Sequence, residues 1–272
     1  MRKGQSVGMF LVLLVGVCLP AFAQFTPEEL DKRPEWEGFL VKADSIEQNR
    51  MNTGQAVTNP WVLTLSHNGV TNKAIWKNPS GRMKGYLENW RWEIAAYNLD
   101  KLLGLNMVPP TVEREFGGDR GSAQLWIDGC ITLKTKVADK IKTPSHRVPH
   151  FNRSYYLQRV FDNLIANEDR HQNQYLITED FRMLLIDHSR SFRTSGKFTK
   201  SLIYSKKNKK EMKELPAAFV EKLRALDFDT IKGAVGEYLN EKEINAVLKR
   251  RDLILKEIDK RIADLGKEEV LY

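Results

Sequence analysis

The stretch Phe161-Asp-Asn-Leu-Ile-Ala-Asn-Glu-Asp-Arg-His171 decides the predicted fold. Its apolar residues recur at helical spacing as far as Ala166 and then give way to a polar loop that contains Asp169. A second stretch, Leu185-Ile-Asp-His-Ser-Arg-Ser-Phe192, places Asp187 directly after an apolar segment. Short predicted strands between the two stretches form a hairpin, so the two aspartates are expected to lie close together.

Two convergent carboxylates provide a geometry that phosphoryl transfer requires. One carboxylate can orient an attacking hydroxyl, while the other holds a magnesium ion that bridges the phosphates of a nucleotide. A lysine from another strand can neutralise the phosphates that do not react. The sequence therefore predicts a phosphate site around Asp169 and Asp187.

Lys77 and Glu93 supply the charged pair that such a site needs. Lys77 follows a predicted hairpin, because β-branched and aromatic residues flank an Asn-Gly turn signal. Glu93 lies on a helix predicted over residues 86–103, where apolar residues recur at helical spacing and Gly104 follows as a stop. We expect an ion pair in which Glu93 holds Lys77 in place.

The remaining chain is predicted to mix short strands with helices. Thr26 starts a helix, because Thr-Pro-Glu-Glu supplies an N-cap, a proline at the first helical position and a capping-box glutamate. Prolines and basic residues from Lys136 to Pro149 indicate a connection between two halves. The other predictions are strands at 61–65, 70–76, 111–115, 123–127, 175–177 and 183–186, and helices at 154–166 and 215–265.

Composition and charge limit the classes of partner. The 272-residue chain has a formal net charge of +8. Much of the excess lies near the lysines of residues 206–210, which either favour an acidic or phosphate-rich partner or form a solvated loop. No aromatic residues interleave with these lysines, which argues against nucleic acid as a partner. Nothing in the mature chain approaches the about 20 apolar residues of a transmembrane segment.

The N-terminus has the features of an export signal. Arg2 and Lys3 precede an apolar run from Met9 to Leu19, and Ala23 favours cleavage before Gln24. We therefore expect the mature protein in the periplasm or outside the cell.

The two cysteines bear on the same question. Cys18 raises a lipoprotein alternative, but Val17 stands where such a site needs a small residue. Cleavage of the signal would leave Cys130 as the only cysteine, so no intramolecular disulfide is expected despite export.

The two opening stretches resemble the catalytic and metal-binding segments of atypical kinases. They are most similar to those of the secretory-pathway kinases, which phosphorylate exported proteins and proteoglycan sugars, and more distantly to those of phosphoinositide kinases and HipA-type kinases. The stretch Trp92-Glu-Ile-Ala-Ala-Tyr-Asn-Leu-Asp-Lys-Leu-Leu-Gly-Leu105, followed by Val108-Pro-Pro110, is similar to the small-lobe helix and strand of the secretory group. The resemblance covers most of residues 54–192.

This resemblance implies a fold, cofactors and site residues. The implied fold is two-lobed, α+β and protein-kinase-like, with a small β-rich N-lobe and a larger helical C-lobe. The implied cofactors are ATP and Mg or Mn. Asp169 takes the place of the catalytic-loop aspartate, and Asp187 that of the metal-binding aspartate. Lys77 contacts phosphates and Glu93 is its partner. The other implied site residues are His171 in the catalytic loop, Asn173 and Gln174 as metal ligands, and Gly54, Thr58 and Gln124 beside the nucleotide, with Gln124 in the hinge segment 123–127.

Two departures from the kinase pattern concern activity. Gln174 stands where many kinases place an asparagine ligand for a second metal, and Asn173 lies one residue earlier. The small lobe lacks a Gly-x-Gly-x-x-Gly loop and offers only Gly54-Gln-Ala-Val-Thr58 before the first hairpin.

Three functions remain open on the sequence. The first is an active kinase that transfers phosphate to a hydroxyl of an exported protein, a sugar or a related acceptor. Arg190 and Arg193 could contact that acceptor if it is anionic. The second is a pseudokinase that binds a nucleotide or a partner without turnover, which the two departures favour.

The third function is a metal-dependent phosphohydrolase with Asp169, His171, Asp187 and His188 as ligands. Such a site predicts tight binding of a transition metal through histidines. The histidine spacing disfavours it, because the close pair His146 and His150 spans Pro149 of the predicted connection and nothing places it with the aspartates.

The predicted organisation has four parts, and the nucleotide is expected in the cleft between the last two. These parts are a signal peptide at residues 1–23, a helical arm at 24–48, the N-lobe at 49–127 and the C-lobe at 128–272.

Overall fold

The computed structural model describes residues 24–51, 59–197 and 212–272, and its N-terminal part contains a five-stranded antiparallel sheet in the order β1-β2-β3-β7-β6. A three-stranded sheet, β10-β9-β8, and a separate β4-β5 pair complete the described strands. The strands are β1 (Asp44–Arg50), β2 (Trp61–His67), β3 (Val70–Lys77), β4 (Ser80–Met83), β5 (Tyr86–Asn89), β6 (Thr111–Phe116), β7 (Asp119–Leu125), β8 (Ile131–Thr132), β9 (Tyr175–Ile177) and β10 (Met183–Leu185).

Helices make up most of the C-terminal part, so the mixed architecture with a sheet lobe and a helical lobe confirms the predicted fold class. None of the helices in the described ranges has the length and apolar character needed to cross a membrane. The helices are α1 (Pro27–Asp31), α2 (Arg33–Lys42), α3 (Arg91–Leu103), α4 (Leu133–Ala138), α5 (Val148–Leu164), α6 (Ala217–Ala225), α7 (Phe228–Val235), α8 (Glu241–Leu265) and α9 (Lys267–Val270).

The two faces of the five-stranded sheet have different surroundings. Successive strand residues point to opposite faces. Leu63, Trp76 and Ala123 belong to a buried cluster that also contains Phe39 and Leu40 of α2. Ile75 and Lys77, which alternate with this set on β3, line a cavity on the other face. The alternation therefore places Lys77 away from the α2 core.

Two predictions in the N-terminal part are confirmed in detail. Thr26 and Glu29 form the predicted capping box at the start of α1. β2 and β3 form the predicted antiparallel hairpin, with Trp61 opposite Trp76. The hairpin ends at Lys77, which fixes the direction of its side chain relative to the cavity.

The predicted helix over residues 86–103 is wrong in its first part. Tyr86–Asn89 form β5, which pairs with β4, and α3 begins at Arg91. Lys84 and Gly85 have φ values of 46° and 88°, so the chain reverses in a tight turn before the helix can start. The predicted stop at Gly104 is confirmed, because Gly104 is the C-cap with φ 70°.

The predicted connection from Lys136 to Pro149 has helical residues at both of its ends. It contains the end of α4, whose N-cap Thr132 accepts a hydrogen bond from the backbone of Thr135, and the start of α5 at Val148. Pro149 lies in the first turn of α5, where a proline costs no helical hydrogen bond.

The C-terminal helical segment is confirmed as helical but is interrupted. Asp227 caps the start of α7 through the backbone of Thr230, and Asn240 forms a capping box with Glu243 at the start of α8. These caps mark the starts of α7 and α8, so the segment predicted as one helical stretch consists of the three helices α6, α7 and α8. Most of the buried apolar residues of these helices belong to one cluster with α3 and α5.

The expected signal peptide, residues Gly54 and Thr58, and the lysines of 206–210 lie outside the described residues.

Gly121 provides a stability test of the β3-β7 contact. A methyl group at this position would lie 2.5 Å from the carbonyl oxygen of Lys77 and 2.7 Å from the ring of Trp76. We expect Gly121→Ala to lower the free energy of unfolding by about 1–3 kcal/mol, because the packed strands must move apart. Urea denaturation measures this change.

Gly38 is the matched control, because the same substitution meets no atom within 4 Å inside α2. Gly38→Ala is expected to raise stability by up to about 1 kcal/mol through helix propensity. Equal effects at the two positions would contradict the proposed steric cause.

Candidate active site

A cavity of about 730 Å³ lies between the N-terminal sheet and the C-terminal part of the chain. This volume is in the range of sites that hold small molecules. Lys77 and Gln124 line it from the sheet, and Asp169, Gln174 and Asp187 line it from the other side. The structure thus brings residues from distant parts of the sequence to one cavity.

Lys77 joins the two sides of the cavity. Its Nζ donates to Oε1 of Glu93 at 2.9 Å and to Oδ1 of Asp187 at 2.8 Å. The second oxygen of Glu93 accepts from the backbone N–H of His188 at 2.8 Å. The end of β3, the first turn of α3 and the segment after β10 are therefore linked through one ammonium group.

The charges of this cluster stabilise one another. Burial alone would lower the pKa of Lys77, but the charges of Asp187 and Glu93 raise it. Burial alone would raise the pKa of both carboxylates, but the ammonium charge of Lys77 lowers the pKa of Glu93 and of Asp187. All three groups are consequently ionised at neutral pH.

Asp187 accepts hydrogen bonds at both oxygens. Oδ1 accepts from Ser189 Oγ at 3.3 Å as well as from Lys77, and Oδ2 accepts from Nε2 of Gln174 at 3.0 Å. The backbone of Asp187 has φ 64°, in the left-handed region that few non-glycine residues adopt. The side chain of Asp187 is 37% exposed, so part of the carboxylate stays open to the cavity.

Asp169 lies in the loop after α5 and forms an ion pair across the cavity wall. Its Oδ2 is 3.1 Å from a guanidinium nitrogen of Arg190, and its backbone N–H donates to Oδ1 of Asn167 at 3.0 Å. The side chain of Asp169 is 34% exposed. The loop geometry therefore fixes the position of a carboxylate that a ligand can still reach.

Arg170 ties the loop of Asp169 to the segment that leads to Asp187. Its guanidinium pairs with both oxygens of Asp162, at 2.9 and 3.0 Å, and donates to the carbonyl of Ile186 at 2.7 Å. The same group lies 2.9 Å from Nε2 of His188. The side chains of Asp162 and Arg170 are 0% and 4% exposed, so this ion pair is part of the core.

His188 is a buried neutral residue. Burial lowers its pKa, although Glu93 opposes the effect. A guanidinium can only donate, so Nε2 of His188 must accept from Arg170 and the proton lies on Nδ1. Nδ1 is 3.7 Å from Oε2 of Glu93.

The residues between Asp169 and β9 form a short 3₁₀ turn. Nδ1 of the exposed His171 accepts from the backbone of Asn173 at 3.3 Å, and Oε1 of Gln174 accepts from the backbone of His171 at 3.2 Å. In this arrangement Gln174 faces Asp187 with its amide nitrogen. His171, Asn173 and Gln174 all line the cavity.

The segment that contains Gly54 and Thr58 connects β1 to β2 and lies outside the described residues. Met51 and Pro60, on either side of it, line the cavity.

Arg190 and Arg193, which were expected to contact an anionic acceptor, bind groups of the protein itself in this structure. Arg190 donates to Oε1 of Glu88 at 2.9 and 2.8 Å, and its guanidinium lies 4.2 Å from the ring centroid of Tyr86. Arg193 donates to Glu168 at 2.8 Å and to the carbonyl of Leu87 at 2.9 Å. Sequence reasoning missed Glu88, because residues 86–89 were predicted as the start of a helix and instead form β5.

Comparisons with solved structures show the same fold in kinases. The structure of Hydra Fam20 with sugar has a TM-score of 0.65 and 14% sequence identity, over 92% of this chain and 95% of that chain. The Golgi casein kinase has a TM-score of 0.64 and 15% identity, over 92% of this chain and 81% of that chain. The Golgi casein kinase with Mn/ADP bound has a TM-score of 0.62 and 15% identity, over 92% and 80% of the chains.

No family model matches the chain, and no curated protein matches it in sequence. These three structures support the secretory-kinase part of the resemblance, whereas the likeness to phosphoinositide and HipA-type kinases stays a prediction. The chain therefore has a kinase-like fold of the kind found in the Fam20 secretory kinases.

Proposed function

We propose that the protein is an exported phosphotransferase that uses ATP and Mg or Mn to phosphorylate a hydroxyl of a protein, a sugar or a related acceptor. The observation that carries this proposal is the Lys77 ammonium group, which two carboxylates from different parts of the fold hold at the wall of one cavity. A fixed cation beside accessible carboxylates is the arrangement that phosphoryl transfer requires.

Each residue at the cavity has a separate proposed role. Lys77 neutralises phosphates, and Glu93 fixes Lys77 through a buried ion pair. Asp169 orients the acceptor hydroxyl and receives its proton. Arg190 keeps Asp169 at the cavity wall through the 3.1 Å contact.

Asp187 is the proposed metal ligand, with Asn173 and Gln174 beside it. A carboxylate has about four lone-pair positions. Lys77 takes one at Oδ1 of Asp187 and Gln174 takes one at Oδ2, whereas the one hydrogen of Ser189 Oγ is shared with Oε2 of Glu88, so Oδ2 keeps a position for a metal. Oxygen ligands of this kind suit Mg and Mn. When bound, the metal would neutralise charge on the phosphates. The described residues contain no group of three or more His, Cys, Asp or Glu side chains that could hold a metal, so nucleotide phosphates would have to complete the coordination.

The solved relatives of the fold support the choice of ligands. One neighbour is a kinase with Mn/ADP bound, and another was solved with sugar. We accordingly place ATP and Mn first among the ligands to test, and both sugars and exported proteins among the acceptors.

A nucleotide-binding pseudokinase is the second candidate. Gln174 turns a donor toward Asp187, and Lys77 holds the other oxygen, so the carboxylate is largely satisfied without a metal. A nucleotide could then bind through Lys77 without turnover.

The phosphohydrolase alternative loses its histidine ligands. His188 is 0% exposed and its Nε2 accepts from Arg170, whereas Nδ1 of His171 accepts from the backbone of Asn173. Two of the four ligands that this alternative required are therefore engaged within the fold.

The experiment uses ATP labelled at the γ-phosphate, with Mn or Mg, an exported protein as one acceptor and an oligosaccharide as the other. Metal-dependent transfer to either acceptor class supports a kinase. Binding of ATP with no transfer, in the parent and in Gln174→Asn, would support the pseudokinase. Absence of ATP binding would contradict both.

Export and the domain boundaries belong to the same proposal. We place a signal peptide at residues 1–23, an arm at 24–48, an N-lobe at 49–127 and a C-lobe at 128–272. The last residues of this arm, from Asp44, form β1 and pair with β2 in the N-lobe sheet. Mass spectrometry of the protein recovered from the extracytoplasmic fraction should show Gln24 at its N-terminus.

A further inference from the structure

Gln124 presents an amide group to the cavity from the penultimate position of β7. Thr111 lies opposite Gln124 in the β6-β7 register, and Nε2 of Gln124 donates to its Oγ1 at 2.9 Å. Thr111 is 1% exposed, whereas Gln124 is only partly buried and lines the cavity. One end of the amide is therefore fixed in the core, and the other borders the cavity.

Thr111 determines which end of the amide borders the cavity. A hydroxyl carries one hydrogen, and Thr111 donates it to the carbonyl of Pro109 at 2.8 Å. Thr111 can therefore only accept from Gln124, so Nε2 must face it. Oε1 is bonded to the same carbon and faces away from Thr111, and no donor among the described residues contacts it.

Apolar residues line the cavity on the same face of the sheet as Gln124. Ile75 lies opposite Gln124 on β3, and Leu176 and Ile186 line the cavity as well. An acceptor in apolar surroundings favours a ligand that brings a hydrogen, and a ligand that leaves it unpaired incurs its desolvation cost.

We propose that Gln124 selects the nucleotide base by accepting a hydrogen bond from the exocyclic amino group of adenine. This inference rests on the proposed function, because it requires that a nucleotide occupy the cavity. A purine with a carbonyl at the same position would place two acceptors against each other with no hydrogen between them. Thr111 is the positioning residue that keeps the amide from turning to offer its NH₂ group.

The test compares ATP with ITP, which carries an oxygen in place of the 6-amino group. Dissociation constants of both are measured by calorimetry with Mg present, for the parent protein and its variants. We expect the parent to bind ATP about tenfold or more tightly than ITP, the size expected for one lost hydrogen bond. In Gln124→Met, which removes the acceptor at similar volume, the ATP-to-ITP preference should fall about tenfold.

Two further variants separate the proposed role from general packing. Thr111→Val frees the amide to turn, so we expect its preference for ATP over ITP to weaken through better binding of ITP. Gln48→Met makes the same chemical change as Gln124→Met on the exposed strand β1 and should leave the preference as in the parent.

The outcomes distinguish this inference from the proposed function. Equal binding of ATP and ITP by the parent, or an unchanged preference in Gln124→Met, overturns the role of Gln124 while the cavity remains a nucleotide site. If the parent binds neither nucleotide, the proposed function fails, and the inference fails with it.

Discussion

Asp169→Asn is expected to lower the rate of phosphoryl transfer by about 10²- to 10⁴-fold, the range that a general base contributes. The substitution keeps the shape of the side chain but removes the charge that accepts a proton from the acceptor hydroxyl. Asp169 makes no contact with Lys77 or Glu93 in the structure, so nucleotide affinity should change little. Rates of transfer and dissociation constants for ATP, measured on the same preparation, give both quantities.

Glu168→Gln is the control for this prediction. Glu168 is the preceding residue in the same loop, but its carboxylate pairs with Arg193 and it does not line the cavity. The control should transfer phosphate at a rate close to that of the parent. Equal losses in the two variants would show that the loop tolerates no change of charge, and an unaffected rate in Asp169→Asn would remove Asp169 from the reaction.

Arg170→Met is expected to lower the free energy of unfolding by about 3–5 kcal/mol, because it leaves the buried carboxylate of Asp162 without its partner. The loss includes the hydrogen bonds of Arg170 to the carbonyls of Gln174 and Ile186. Urea denaturation, with a check that the m-value is unchanged, measures the effect.

Two controls show whether the cost comes from an uncompensated charge. The double variant Asp162→Leu with Arg170→Met removes both charges and should recover part of the stability. Arg224→Ala breaks an exposed ion pair with Asp259 and should cost no more than about 1 kcal/mol. A double variant that is less stable than Arg170→Met would contradict the assigned cause.

The convergence of Lys77, Glu93 and Asp187 could be predicted from the sequence because each lies next to a strong local signal. An Asn-Gly turn fixes the hairpin that ends at Lys77, and helical periodicity fixes the face of α3 that carries Glu93. A second hairpin, β9-β10, brings Asp187 to the end of a strand. Strands and helices with local patterns of this kind can be predicted without information on contacts between distant residues.

The β4-β5 hairpin could not be predicted in the same way. Tyr86 and Leu87 fit the apolar spacing of the helix that follows, and its turn depends on a positive φ at Lys84, which no residue preference indicates. Missing the hairpin also meant missing Glu88, and therefore the role of Arg190. From the sequence alone, an arginine that pairs with a buried glutamate distant in the chain cannot be distinguished from an arginine that binds a ligand.

Asp162 and Gln174 illustrate a different limit. Asp162 lies on the apolar helix α5, and only the folded chain shows that it neutralises Arg170 in the core. The orientation of Gln174 depends on a backbone N–H of His171 that occupies its oxygen. The roles of such residues depend on which groups donate and accept their hydrogen bonds, and only the tertiary structure shows those partners.

The most direct test of the central claim is thermal unfolding of the purified protein with ATP and Mn or Mg, separately and together, for the parent and for Asp187→Ala. With both ligands at about 100 times the dissociation constant, the parent should melt about 5 to 10 °C higher, and Asp187→Ala should lose the part of this rise that needs the metal. Asp229→Ala, which removes an exposed carboxylate on α7, should behave like the parent. A parent that shows no rise with ATP and metal, or an Asp187→Ala variant that keeps the full rise, would contradict the account.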